Sequence, residues 1–313
     1  MKYKNKLILL LSLIAVMSLL YTGSFIFNYE HASARSASFV WLDQKTAQRI
    51  DKIVINSSDQ NVELVKEGNL WFVMQGGNEY PARQLRIEDF INILTKRGAW
   101  PVRSSNASSH ERVGLDVQSA FRITFFTEGA VSLDLLTGGT DSTGREIYMR
   151  KYQQDEVRCG DSLINTYITG PAAAWYNLRL IPQSEDGQID LEDVQRLSVY
   201  NQGESAILSR RNRDWDISGI YVENPAQDLI ENYIRNVLNS EGDNFYDNSG
   251  SLNFEHSRIV LEFGNGSIVT IGFSEPDETG RRIARVSGSP YLYSIPSWMA
   301  MRLFTNAAGF ERR

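Results

Sequence analysis

One five-residue pattern, D-x-T-G-R, is written twice in this chain, at Asp141–Arg145 and again at Asp277–Arg281. A carboxylate and a guanidinium four residues apart, around Thr-Gly, have two uses. As exposed tips they can grip a polar partner, such as a sugar or another protein. As a hairpin turn, the Asp accepts backbone hydrogen bonds, the Gly takes positive φ and the Arg begins the next strand. The turn is the commoner use of this spacing. Asp141, Arg145, Asp277 and Arg281 are nonetheless the candidate binding residues.

No other group of residues nominates a reaction. The lone thiol, Cys159 in "DEVRCGD", allows neither an internal disulfide nor a zinc cluster, and reads as a small packed hydrophobe at a strand end. His31, His110 and His256 have no metal-ligand spacing. "GGTDSTG" lacks the Lys-Ser/Thr ending of a phosphate-binding loop, and no G-x-S-x-G is present. The expectation is therefore no catalytic residues, no metal and no cofactor.

Composition narrows the class further. The 313 residues are 42% hydrophobic and 22% charged, which is globular and sufficient for two domains. The 32 basic residues stand against 38 acidic ones, a net charge of −6, and that balance argues against nucleic acid as a partner.

The N-terminus carries a different signal. Lys2, Lys4 and Lys6 precede an uncharged run from Leu7 to Phe27. A helix of that length reaches roughly 30 Å, the thickness of a bilayer's hydrocarbon core. Lysines before the run and none just after it place the N-terminus in the cytoplasm and the bulk of the chain outside. The competing expectation is a signal peptide cleaved near Ala34, since "HASARSAS" offers small residues at Ala32 and Ala34. The expected organisation is a stub and transmembrane anchor over 1–28, a juxtamembrane segment over 29–48, and then two repeat units.

The repeat shows first in Trp71 and Pro81, which recur 144 positions later as Trp215 and Pro225. Leu85, Phe90, Ile93 and Leu94 then fall on Leu229, Ile234, Val237 and Leu238, at the spacing of an amphipathic helix that the proline would open. "KIVINSS" and "RLSVYNQ" read as strands leading into hairpins that carry the tryptophans as core residues. "FRITFFTEGAVSLDLL" resembles "SRIVLEFGNGSIVTIG", with Arg122 and Arg258 136 positions apart. Each unit ends in a strand and a short helix. The predicted fold is α+β: two tandem copies of an antiparallel-sheet-plus-helix unit, over 49–182 and 194–313, joined by an acidic linker over 183–193.

The Trp-bearing hairpin, "YPARQLRIEDFINIL", "ERVGLDVQSAFRITF" and "GREIYMRKYQQDEVRC" resemble the bacterial domain-of-unknown-function family 4340, over Arg49 to Pro182 and more loosely from Asp193 onward. The second unit departs from the pattern, with "ENPAQDL" for "YPARQL" and nothing as clear as the "VGLD" of Val113 to Asp116. The resemblance implies a membrane-anchored extracytoplasmic protein of the kind encoded beside gliding-type ABC exporters. Its partners would be the permease, the ATPase or an auxiliary envelope protein. The function expected on these grounds is a non-catalytic accessory or binding subunit of an ABC-type transporter or envelope complex. The alternative is an envelope hydrolase acting on glycan or peptide.

Overall fold

A computed structural model describes residues 38–181, 189–247 and 250–312, with residues 14, 16–18 and 21 of the N-terminal stretch. Most of the expected anchor, the Ala32–Ala34 stretch and much of the acidic linker thus lie outside the described residues. The residues of that stretch that are described are helical, and leave Ile14, Val16, Met17 and Tyr21 more than half exposed. Among the described residues no helix is long and apolar enough to cross a membrane.

The chain divides into two compact units, one ending at Tyr176 and the other spanning Asn177–Arg313. Sequence patterning set the first boundary at 182. The segment before it instead goes with the second unit: Leu180 N–H donates to Ser240 O at 3.0 Å, and Gly242 N–H to Leu178 O at 2.8 Å.

The first unit is built on an antiparallel sheet of β1 (Lys52–Asn56), β2 (Asn61–Glu67), β3 (Leu70–Gln75), β4 (Asn78–Pro81), β5 (Val102–Ser104), β6 (Phe121–Thr127), β7 (Ala130–Thr140), β8 (Glu146–Lys151) and β9 (Val157–Asp161). Their order is β4-β3-β2-β1-β6-β7-β8-β9-β5. Alternation buries Ile53, Ile55, Val62, Leu64, Trp71 and Val73, as expected of strands with one covered face. The helix Gln84–Thr95 buries Ile87, Phe90, Ile91 and Leu94, one stripe at helical spacing. Phe90 stacks on Phe125 of β6 at 5.9 Å and meets Trp175 edge-on at 5.5 Å. Burying each such side chain contributes about 1.5–3 kcal/mol relative to exposure.

The second unit is built likewise on β10 (Val194–Asn201), β11 (Glu204–Arg211), β12 (Asp214–Ser218), β13 (Asn244–Phe245), β14 (Ser257–Phe263), β15 (Ile268–Phe273), β16 (Arg282–Val286) and β17 (Leu292–Ile295). The order β12-β11-β10-β14-β15-β16-β17-β13 repeats that of the first sheet without β4. Registers coincide as well. Ile53 opposes Leu64 and Phe125, and Leu197, 144 residues on, opposes Leu208 and Leu261. The helix Gln227–Leu238 buries Ile230, Tyr233, Ile234 and Val237, with a short closing helix at Ser297–Leu303.

Here the structure corrects the sequence alignment by one residue. Ile87, Phe90, Ile91 and Leu94 correspond to Ile230, Tyr233, Ile234 and Val237, 143 residues apart rather than 144. Leu85 is 75% exposed and Ile93 only half-buried, so neither belongs to the inward stripe. Nor does proline open the helices: Pro81 ends β4 opposite Phe72, and Pro225 bridges Glu311. The stretch "GGNEYP" between Trp71 and the helix of the first unit is a hairpin. Gly76 and Gly77 at φ 60° and 84° suit its tight turn, and Asn78–Pro81 forms the added strand β4.

What places each helix is a glutamine. Gln84 Oε1 accepts from Trp71 N–H at 2.8 Å, while its Nε2 donates to Trp71 O at 3.1 Å and Ala82 O at 2.9 Å. Gln227 repeats this on Trp215, accepting from N–H at 2.7 Å and donating to O at 2.9 Å. The carboxamide treats the Trp peptide as a neighbouring strand would. Replacing Gln84 or Gln227 with Ala leaves that peptide without these partners, and we expect a loss of about 1–3 kcal/mol in each case. Urea unfolding of the two variants measures it; an unchanged midpoint would show the clamp to be incidental.

Candidate functional site

The structure places both D-x-T-G-R patterns in hairpin turns. At the first, Asp141 Oδ1 accepts from the N–H groups of Arg145 and Glu146, each at 3.1 Å, and Oδ2 accepts from Thr143 Oγ1 at 2.7 Å. Gly144 sits at φ 69°. At the second, Asp277 Oδ1 accepts from Thr279 N–H at 2.8 Å, Thr279 Oγ1 at 2.7 Å and Arg281 N–H at 2.9 Å, with Gly280 at φ 80°. These bonds hold both carboxyls below the ordinary aspartate range. For Asp141 the leading cause is the Glu146 N–H, and for Asp277 the Thr279 hydroxyl.

Each carboxylate is thus engaged inside its own turn, and each turn abuts the segment that closes its unit. Ser162 Oγ donates to Gly144 O at 2.8 Å, and a Cβ at Gly280 would lie 3.1 Å from Ser297 Cβ. The arginines differ. Arg145 is exposed, whereas Arg281 pairs with Asp243, Nη1 to Oδ2 at 2.7 Å. Asp141 with Arg145 and Asp277 with Arg281 are brought together only as turn neighbours.

The remaining candidates are structural. Trp71 and Trp215 are 4% and 3% exposed, with Lys66 and Arg210 over their rings at 5.9 and 5.8 Å. Cys159 lies inside β9 rather than at its end, fully buried. Burial pushes its thiol up to about 11, although Arg103 Nε donates to the sulfur at 3.0 Å. The "VGLD" loop packs Leu115 with Ala120, Leu136 and Val157, and Arg150 Nε donates to Leu115 O at 3.3 Å. It lies so close to β7 that a Cβ at Gly138 would meet Val113 O at 2.3 Å, which explains "GGT" there. Among the described residues no three His, Cys, Asp or Glu gather to hold a metal ion.

Both units carry recesses, and one of about 330 Å³ lies beside Trp71 and Lys66 in the first. A recess of about 460 Å³ is lined by Thr279, Gly280, Arg282, Ser297, Met301 and Phe304 among others. Asn201 and Phe304 also line an adjoining recess of about 570 Å³ that reaches Tyr221. Arg282 is a residue the sequence reading missed. Its signal was the doubled arginine of "TGRRI" where the first unit has "TGREI".

Sheet, helix and turn together define an α+β chain of two antiparallel units, each with one long helix on a sheet face. The family model described as "Domain of unknown function (DUF4340)" matches residues 71–245, more than half of the chain, and the chain belongs to that family. The match begins in β3 and ends in β13, unlike the span from Arg49 to Pro182 on which the resemblance was strongest. No curated protein and no solved structure matches.

Two outcomes follow from the turns and the thiol. A carboxyl with a depressed folded pKa stabilises fully above the unfolded value, about 3.9, and that contribution drains away as pH falls through the lower folded value. Asp141→Asn and Asp277→Asn should therefore lower the urea midpoint at pH 7 and lose less than the parent between about pH 4 and 2. A parallel acid profile would contradict this. Cys159 should resist iodoacetamide at pH 8 until urea unfolds the first unit; prompt native labelling would refute its burial.

Proposed function

We propose that this chain is a non-catalytic accessory subunit, anchored in the cytoplasmic membrane, whose two units lie outside the cytoplasm and bind another component of an ABC-type transporter or envelope complex. The observation that carries the reading is the uncharged run Leu7–Phe27 behind Lys2, Lys4 and Lys6, which has the length and charge asymmetry of a signal anchor. The kinship with gliding-type exporter neighbours supplies the kind of partner, by association rather than by contact chemistry. We further infer that the two units are copies of one domain. The repeated strand order, the coincident registers and the two Gln–Trp clamps support common descent.

The test is affinity purification of the full chain from native membranes in mild detergent. The expected result is an ABC permease or ATPase in the eluate, with the chain's intact mass retaining its N-terminus. Exchange of residues 1–28 for a cleavable signal should release the protein and lose the partners. A mature N-terminus near Arg35, or the chain recovered alone, would overturn the reading.

A further inference from the structure

We propose that the recess beside Arg282 in the second unit binds a carboxylate ligand that carries an apolar group. Arg282 opens β16 and points inward with Ala284 and Val286, which leaves the residue only 8% exposed. Its Nη1 donates to Ser257 Oγ at 3.1 Å and to Ser274 O at 3.0 Å, both neutral acceptors. Among the described residues its Nε and Nη2 have no hydrogen-bond acceptor, and no carboxylate forms an ion pair with it. Glu275 is the acidic group whose field reaches it, but Glu275 is exposed and accepts from Gln202 Nε2 at 3.4 Å instead.

A guanidinium keeps its proton even when buried, so the charge remains, with no carboxylate in contact to offset it. A largely buried cation with no carboxylate in contact is costly, and an anion bound from outside relieves that cost. Phe304 lies against the guanidinium, 4.9 Å from the carbon to the ring centroid. The free donors therefore lie along the guanidinium edge, and a planar carboxylate matches two of them at once. A phosphate dianion would bring a second charge that one guanidinium leaves unmatched.

The walls supply the rest of the specificity. Thr279 and Ser297 bring hydroxyls, while Ala300, Met301 and Phe304 bring an apolar side. The volume, about 460 Å³, falls within the range of small-molecule sites, about 300–1,000 Å³. In the first unit the inward position that corresponds to Arg282 is Ile147, since Met149 opposes Thr137 as Ala284 opposes Phe273. Glu146, which follows the turn arginine in sequence as Arg282 does, lies on the other face of β8 and is paired with Arg103 Nη2 at 2.8 Å. This site is independent of the transporter reading and stands or falls by itself.

The test follows the Met301 methyl signal in the full chain in detergent, labelled with [¹³C-methyl]methionine and assigned with Met301→Leu. The probes are 3-phenylpropionate and its primary amide, with N-acetyl-Ala-Phe and its C-terminal amide as a second pair. We expect both carboxylates to shift Met301 saturably and to bind about tenfold or more tightly than their amides. Preference between the two pairs tells whether a free acid or a peptide end is the better source. Arg282→Gln should abolish the difference between acid and amide. Because that variant removes buried hydrogen bonds, Met301→Glu serves as a second: Met301 is 70% exposed, and the new charge at the rim should weaken the acids and spare the amides. For Met301→Glu the readout is calorimetry. Equal binding of acid and amide, or no saturation with the parent chain, would end the proposal.

Discussion

The contact on which each unit depends is the one between a glutamine carboxamide and the peptide of a buried tryptophan. A sheet and a helix have no backbone hydrogen bonds in common, so packing alone leaves their relative position to side-chain shape. Gln84 and Gln227, the first residues of their helices, reach out and complete the hydrogen bonding of Trp71 and Trp215. That fixes where the helix begins, and the helical period then decides which residues face inward. The stripe from Ile87 to Leu94 and the stripe from Ile230 to Val237 follow from that starting point.

Much of this was legible in the sequence. The strands around "KIVINSS" and "RLSVYNQ" alternate, and β1 and β10 lie where that alternation put them. Asp, Thr and Gly in a fixed order read correctly as turn chemistry, because each residue's preference there is local. The helix register was not legible. A shared Pro-Ala invites alignment on the proline, yet proline plays a different part in each unit, ending a strand in one and bridging Glu311 in the other. The residue that does the same job twice is Gln, one position out of step, and its role is apparent only once the N–H groups of Trp71 and Trp215 are seen to need an acceptor.

The recess escaped notice for a related reason. The pattern D-x-T-G-R directed attention to Arg281, whose guanidinium pairs on the surface with Asp243. Its neighbour Arg282 opens β16 on the inward face, with Ala284 and Val286, and is therefore buried. Strand alternation predicts that two successive arginines part company, but it does not say which of them meets a carboxylate. In the first unit that face of β8 carries Ile147 and Met149, while Glu146 lies on the other face and pairs with Arg103, so a buried apolar residue stands where the second unit has an open cation. If the units share an ancestor, this is where their surfaces came to differ in chemistry without differing in architecture.

The stretch by which the family is recognised is not a stretch that can stand alone. It opens at Trp71, inside β3, and so leaves out β1 and β2. In the first sheet β1 is the seam between β2 and β6, and β2 carries β3. A fragment cut at residue 71 would therefore keep the outer hairpin of β3 and β4 with no strand to tie it to the rest of the sheet. At the other end, a cut at residue 245 would remove β14, the partner of β10. The recognisable block and the foldable block are offset along the chain, and excision at the former would yield two broken sheets instead of one domain.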